Sequence, residues 1–383
     1  MTVNTSPANT SAANTVPAYT APAPTVLTEP TALTVDEVMG QIVTELGASL
    51  GVLLTDVGLR AGIWQAMAGT GPLTIEEIAA AAGVPVPIIR EWVRSQSAAG
   101  YLQYHPSTHR YELPEAVAVA LLAAPGGSIV GACVEMLQSM MSQYDDLVHA
   151  LSTDGRFGWH QRNLHYWHGA DRLTRAQLPA EVIGAAVNAM DAIGSTLTAG
   201  GAVLDVGSGF GFPTVSIAER YPASTVLGID YHAGSVAAAA ERATQAGLAG
   251  RVSFQTASAT DLPGTGYMLI TFFDSLHDFG EPVEALRAAR TVLAPGGAVL
   301  VCDNDAADRV ADNLNPVGRM YYSVSTLVCT PNALSQHGPN SPEPLGTYAG
   351  AGRIAAIAHQ AGFRQVRRLD VPGAMNLFLD LRP

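Results

Sequence analysis

The stretch "AVLDVGSGFGFP" at residues 202–213 constrains this chain more than any other feature. A short apolar run ends in Asp205, and Gly207, Gly209 and Gly211 follow at alternate positions. Glycine takes positive φ without steric cost and lets the backbone approach a ligand closely. The run therefore predicts a strand, a tight turn and a helix N-terminus that together cradle a ligand. Apolar strands and helices then alternate through "STVLGIDY", "SVAAAAERATQAG", "RVSFQTASA", "YMLITFFDSL", "EPVEALRAARTVL" and "GAVLVCDND". This βαβ succession predicts an α/β, Rossmann-like fold with a mostly parallel sheet and ligands at the carboxyl ends of its strands. The closing strands "QVRRLDV" and "NLFLDLRP" are joined by a short turn at Pro372 and Gly373, which predicts an antiparallel last strand.

Spacing narrows the ligand. A dinucleotide loop reads G-x-G-x-x-G, whereas here Phe212 occupies the third glycine position. Asp205 would repel a pyrophosphate but attracts an ammonium or a sulfonium, and S-adenosylmethionine has both. Asp230 ends the second strand, where a carboxylate accepts hydrogen bonds from ribose hydroxyls.

Charge and composition exclude other classes. Lys and Arg total 20 against 33 Asp and Glu, a net charge of −13, and every one of those cations is Arg. A chain without lysine has no Walker lysine, Schiff-base lysine or kinase-type lysine. Its acidity also argues against a general nucleic-acid partner. Cys133, Cys302 and Cys329 are too scattered for a disulfide framework, which points to a reducing, cytoplasmic setting. Residues 1–32 are rich in Ala, Thr and Pro, lack the pattern of a signal peptide and are expected to be unstructured. Residues 116–134 carry no charge, but Pro125, Gly126 and Gly127 split them into two segments too short to span a bilayer. The expectation is a soluble protein with no membrane partner.

Folded sequence begins near Leu33. Thr34 precedes Asp36 and Glu37, and Thr74 precedes Glu77 three residues on, so both mark helix starts. A third helix, "PIIREWVRSQ", leads into two short strands around "HPSTHR", giving a winged-helix pattern over 33–125. Residues 34–124 hold Arg60, Arg90, Arg94 and Arg110 against nine acids, a net of 4 − 9 = −5. That balance favours a dimerisation module over a DNA reader. The helical stretch 126–197 follows and is expected to form a lid over a pocket. Its patch "GRFGWHQRNLHYWHG" mixes Trp159, Tyr166 and Trp167 with His160, His165 and His168. It reads either as metal ligands or as a pocket wall, and the aromatic mixture favours the wall.

Residues 196–383 resemble class I S-adenosylmethionine-dependent methyltransferases. With "FFDSLHD", "LAPGGAVLV" and "DNLNPVGRMYYSVSTLVCTPNALSQ", the folded chain is similar to an actinobacterial subgroup with an N-terminal winged-helix dimerisation domain. The resemblance implies a homodimeric methyltransferase with its cofactor-binding domain over 198–383 and a small-molecule, secondary-metabolite acceptor. O-, N- and C-methylation all remain open. It implies that Asp205, Gly207, Ser208, Gly209, Phe210 and Gly211 face the methionine half, Asp230 the ribose, and Tyr231 the adenine. Ser258 and Ala259 stand at the adenine edge, where the family has Asp first, so Asp261 is a candidate substitute. Asp274 lies near the methyl group. A ligand-sensing transcriptional regulator is the alternative.

His277 and Asp278 are the candidate catalytic pair, since a histidine titrates near neutrality and can take the acceptor's proton. The plainer reading is that His277 caps the following helix. The dipeptide is also similar to the iron site of α-keto acid C-methyltransferases, with Cys329 where a second histidine is needed. Asp274 with Asp303 and Asn304 resembles the Mg²⁺ ligands of catechol-type enzymes. Segment 315–327 combines Arg319 with Met320, Tyr321 and Tyr322 and is the candidate acceptor-pocket wall, Arg319 and Tyr322 foremost, opposite Trp159, Tyr166 and Trp167.

Overall fold

The computed structural model describes residues 33–122, 128–336, 341, 343–373 and 376–383. The expected unstructured tail over 1–32 and the turn at Pro125, Gly126 and Gly127 lie outside the described residues. Helix α1 (Val35–Arg60) opens with a capping box, in which Thr34 and Glu37 satisfy each other's backbone N–H. After α2 (Ile63–Met67), the same device starts α3 (Ile75–Ala82) through Thr74 and Glu77. Losing such a cap costs about 1 kcal/mol. Gly83, at φ +68°, ends α3 and admits α4 (Val86–Ala98). Strands β1 (Gln103–His105) and β2 (Arg110–Glu112) form the antiparallel wing, and α5 (Glu115–Leu122) packs back on the core. Trp64 and Trp92 meet edge to face at 4.6 Å in its centre, and their ring N–H groups donate to the carbonyls of Thr55 and Leu54.

Helix α1 is long and apolar enough to cross a membrane, although it carries Asp36, Glu37, Glu45 and Asp56. Most of it is exposed, including Val43, Leu46 and Leu50. A single chain leaves this apolar face uncovered.

Five helices follow: α6 (Ile129–Ser142), α7 (Tyr144–Ser152), α8 (Leu164–Gln177), α9 (Ala180–Asn188) and α10 (Ile193–Ala199). Gly169 lets α8 lie against α6, because a Cβ there would stand 2.6 Å from Met136 Cγ.

The rest alternates as predicted. β3 (Ala202–Val206), α11 (Phe212–Arg220), β4 (Thr225–Asp230), α12 (Ala233–Gln245), β5 (Val252–Thr256) and β6 (Tyr267–Phe273) come first. Then come α13 (Pro282–Val292), β7 (Leu293–Asn304), α14 (Pro316–Val324), a π-helical turn at Ser325–Cys329, α15 (Thr330–Ser335) and α16 (Gly350–Gln360). β8 (Gln365–Arg368) and β9 (Asn376–Arg382) close the chain. The seven strands run β5-β4-β3-β6-β7-β9-β8, and β9 is antiparallel to both its neighbours. Apolar layers cover both faces, one around Leu197, Ile217 and Leu269 and the other around Leu204, Ile270 and Leu286. Strand order reverses direction between β3 and β6, which opens a crevice at their carboxyl ends.

Candidate active site

The glycine loop after β3 fills one end of that crevice. Gly207, Gly209 and Gly211 have φ of 73°, 51° and 76°, the left-handed region that glycine alone enters freely. A Cβ on Gly207 would stand 2.7 Å from Ser275 and one on Gly211 2.7 Å from the Phe254 ring, whereas Gly209 has open space. The N–H groups of Gly207 and Ser208 both donate to Ile229 at 2.9 Å, which ties the loop to β4. Gly209 N–H donates to Asp230 Oδ2 at 3.0 Å and His232 N–H to Oδ1 at 2.8 Å. Burial nonetheless raises the Asp230 pKa. A carboxylate can accept about four hydrogen bonds, so Asp230, unlike the fully buried Asp205, keeps acceptor capacity toward the crevice. The Ser208 hydroxyl is buried without a partner.

Asp205 is held more firmly within the fold than its sequence context alone showed. It is fully buried, and it accepts from Thr214 Oγ1 at 2.6 Å and Thr271 Oγ1 at 2.8 Å. Burial pushes its pKa up to about 6. Its oxygens are already engaged in joining β3 to α11 and β6, so any attraction for a cation acts through the field rather than by a free oxygen.

The crevice opens into a cavity of about 810 Å³. All the expected cofactor residues border it: Asp205, Gly207 through Gly211, Asp230, Tyr231, Ser258, Ala259 and Asp274. Ser258 shares a hydrogen bond with Thr260 Oγ1 at 2.9 Å. Asp261, the suggested substitute at the adenine edge, is exposed and lies outside the wall. The helical patch closes over the loops. Trp159 Nε1 donates to Ser235 Oγ at 3.1 Å, and the Trp167 ring sits 4.5 Å from that of His232.

At the far end, Asp274 terminates β6 with φ 51°, a strained conformation for a side-chain-bearing residue. Burial pushes its pKa up to about 6, and Asn304 Nδ2 donates to its Oδ1 at 3.3 Å. His277, 3 % exposed, sits in a 3₁₀ turn with Nδ1 2.9 Å from Asp303 Oδ1 and Nε2 3.6 Å from Asp278 Oδ1. Burial opposes its charge, yet the carboxylates of Asp303 and Asp278 hold its pKa well above the usual imidazole range. The helix-capping reading fails, because the N-cap of α13 is Glu281 and no side chain caps that helix. Asp278 Oδ1 is buried without a hydrogen-bond partner. Cys329 is carried into the same cluster by the π-helical turn, and its donor atom lies within 4.8 Å of those of His277 and Asp278. Burial pushes its thiol pKa up to about 11.

Donor groups able to hold a metal are therefore His277, Asp278 and Cys329, or Asp274, His277 and Asp303. Asp274, Asp303 and Asn304, the residues of the less favoured Mg²⁺ reading, do come together at the strand ends, but hydrogen bonds within the cluster engage them. Asp303 Oδ1 faces His277 and Asn304 N, while the Asn304 amide donates to Asp274. The three upstream histidines also separate. His160 reaches the Tyr231 hydroxyl at 3.4 Å, His165 lies 4.0 Å from Glu135, and His168 packs on Phe210.

Two acceptor-pocket expectations are corrected. Arg319 is exposed and pairs with Glu45 of α1 at 3.0 Å, and Tyr322 packs on Tyr348 with ring centroids 4.9 Å apart. The face of α14 that borders the cavity carries Met320, Tyr321 and Val324, and the π-helical turn continues it with Val328. Their spacing of one, four and eight residues from Met320 was the available signal. Trp159, Tyr166 and Trp167 line the opposite wall as expected. Sequence reading also missed Arg162, 4 % exposed, which donates to Leu327 O at 2.7 Å.

A glycine-cradled crevice, an acid ending each of the first two sheet strands and an antiparallel last strand define a class I methyltransferase fold joined to a winged helix. Residues 197–350 match the family described as "Methyltransferase domain" and residues 48–123 match "Rv2258c-like winged HTH domain". The chain thus joins these two domains. It is similar to 27-O-demethylrifamycin SV methyltransferase of Amycolatopsis mediterranei, with 28 % identity over 44 % of this chain and 65 % of that one. It spans 23 %, 65 % and 48 % of the length of three curated relatives it matches. Among solved structures, mitomycin 7-O-methyltransferase superposes with a TM-score of 0.62 at 18 % identity, covering 90 % of this chain and 97 % of that one. Human N-acetylserotonin methyltransferase, solved with S-adenosylmethionine, gives 0.61 at 17 % identity, covering 92 % and 100 %.

Proposed function

We propose that this chain transfers the methyl group of S-adenosylmethionine to a small, apolar acceptor and works as a homodimer. The observation that carries the reading is the Asp230 carboxylate, fixed by Gly209 N–H beside a glycine loop that borders the cavity. That arrangement suits a nucleoside, and the Phe at position 212 departs from a dinucleotide loop. When bound, S-adenosylmethionine supplies an electrophilic methyl on a positively charged sulfur. Asp230 accepts the ribose hydroxyls, Tyr231 and Ser258 with Ala259 flank the base, and Ser208 offers its unpartnered hydroxyl. Asp205 and Asp274 would contribute negative potential toward a sulfonium bound in this cavity. Trp159, Tyr166 and Trp167 keep water away and orient the acceptor, and orientation provides much of the rate gain in such a displacement.

His277 receives the acceptor's proton at Nε2, beside the Asp278 carboxylate. Because two carboxylates hold the imidazole pKa well above its usual range, the fraction of His277 free to act as this base grows as pH rises above that range. The uncovered apolar face of α1 is the surface we assign to the dimer contact. The winged-helix match raises a DNA-reading alternative, against which the −5 balance of residues 34–124 argues.

The test is incubation of the full chain with methyl-labelled S-adenosylmethionine and an extract of apolar metabolites. Label in an organic-soluble small molecule supports the reading. Label confined to protein or nucleic acid contradicts it.

A further inference from the structure

The charges around the cavity are of one kind. Among the described residues, Asp171, Asp205, Asp230, Asp274, Asp278 and Glu281 border it, His277 is the one basic side chain that does, and no arginine joins them. The chain has no lysine to compensate. Arginines nearby are committed elsewhere. Arg242 grips Asp171 through two contacts of 2.7 Å, Arg175 reaches the same carboxylate at 3.2 Å, and Arg172 pairs with Glu135 at 3.0 Å. Arg162 has no carboxylate partner and its Nη1 is buried without a hydrogen bond, but it stands behind the Tyr166 ring, 5.1 Å from its centroid, stacks on Phe157 at 4.4 Å and does not border the cavity. His277 is likewise spoken for, held between Asp303 and Asp278. Thioether and ring groups, Met136, Met140, Met320, Trp159, Tyr166 and Trp167, share the rest of the wall with aliphatic and uncharged polar side chains. Sulfur and aromatic faces suit flat apolar rings and tolerate cations.

From this inventory we infer that the acceptor is an apolar, ring-bearing molecule that is neutral or cationic and carries no carboxylate, phosphate or sulfate. The inference rests on the methyl-transfer reading and narrows its substrate class. An anionic acceptor would meet Asp274 and Asp278 in a largely apolar cavity with no arginine or lysine on its wall to offset it, and like charges repel strongly where water is scarce. A neutral hydroxyl or a basic amine instead finds carboxylates able to accept its hydrogen.

The test is isothermal titration of the full chain, saturated with S-adenosylhomocysteine, against three probes of one shape: 2-naphthol, 2-(aminomethyl)naphthalene and 2-naphthoate. The naphthoate is expected to bind about tenfold more weakly than the other two, or worse. Asp274→Asn is expected to narrow that gap by strengthening naphthoate binding. Naphthoate binding as tightly as naphthol overturns the inference. If none of the three binds while S-adenosylhomocysteine does, the substrate class is overturned and the cofactor reading stands. Failure of S-adenosylhomocysteine itself to bind removes the foundation of both.

Discussion

Asp303 Oδ1 lies 2.9 Å from Nδ1 of His277, and the two side chains are 1 % and 3 % exposed. They come from adjacent strand ends, Asp303 within β7 and His277 just past β6, so the sheet itself sets their separation. A buried carboxylate on one ring nitrogen fixes the tautomer and leaves Nε2 for Asp278 and the acceptor. Asp303→Asn should therefore lower the His277 pKa and move the acid limb of the kcat/KM profile to lower pH. It should also reduce the plateau rate, because the ring loses its orienting partner. An unmoved limb would show that His277 takes no proton in the rate-limiting step.

Two buried carboxyls make folding stability depend on pH. Asp205 and Asp274 have pKa values of about 6 in the folded chain against an ordinary value of 3.8. The fold thus favours their protonated forms. Their contribution is fully present below the unfolded value and is lost as pH rises through 6; His277, with its raised pKa, works in the same direction. The melting temperature should fall by a few degrees between about pH 5 and about pH 7.5. S-adenosylmethionine, by placing a cation near these carboxylates, should stabilise more at the higher pH. Melting temperatures that climb across that window would contradict the assignment of both acids.

The loop glycines should separate by function. Gly211→Ala places a Cβ against Phe254 at positive φ and should cost about 2–4 kcal/mol in stability. Gly209→Ala meets no atom within 4 Å, so it should cost about 1–2 kcal/mol of strain and instead weaken ligand binding. Chemical denaturation paired with calorimetry distinguishes the two, and equal effects would show that Gly209 does not face a ligand.

Acceptor recognition should follow the face of α14 that borders the cavity. Met320→Ala is expected to raise the acceptor KM about fivefold through lost apolar contact, while Arg319→Ala leaves it unchanged. Steady-state kinetics with any accepted substrate checks this, and the reverse order would place the acceptor outside the cavity.

Much of this was legible in the sequence because it is local. Positive φ at three loop positions needs glycine, capping boxes need Thr and Glu three apart, and βαβ alternation needs only periodicity. The candidate cofactor residues all border one cavity for the same reason, since each ends a strand whose neighbours are fixed by topology. What stayed hidden was long-range or depended on helix phase. Thr271 takes up Asp205 from another strand, and no local pattern announces it. Of Arg319, Met320, Tyr321 and Tyr322, only the middle two border the cavity, because successive residues on α14 are about 100° apart. The π-helical turn at Ser325–Cys329 then shifts that phase again and brings Cys329 to His277, which a uniform helical period cannot foresee.

The central claim is that a glycine bend and the Asp230 carboxylate receive a sulfonium nucleoside. Isothermal titration of the full chain with S-adenosylhomocysteine, beside NAD and the Asp230→Ala variant, tests it most directly. The account predicts one binding event per chain for the nucleoside, weakened about tenfold or more by the variant, and none for NAD. Tight NAD binding with no uptake of S-adenosylhomocysteine would contradict it.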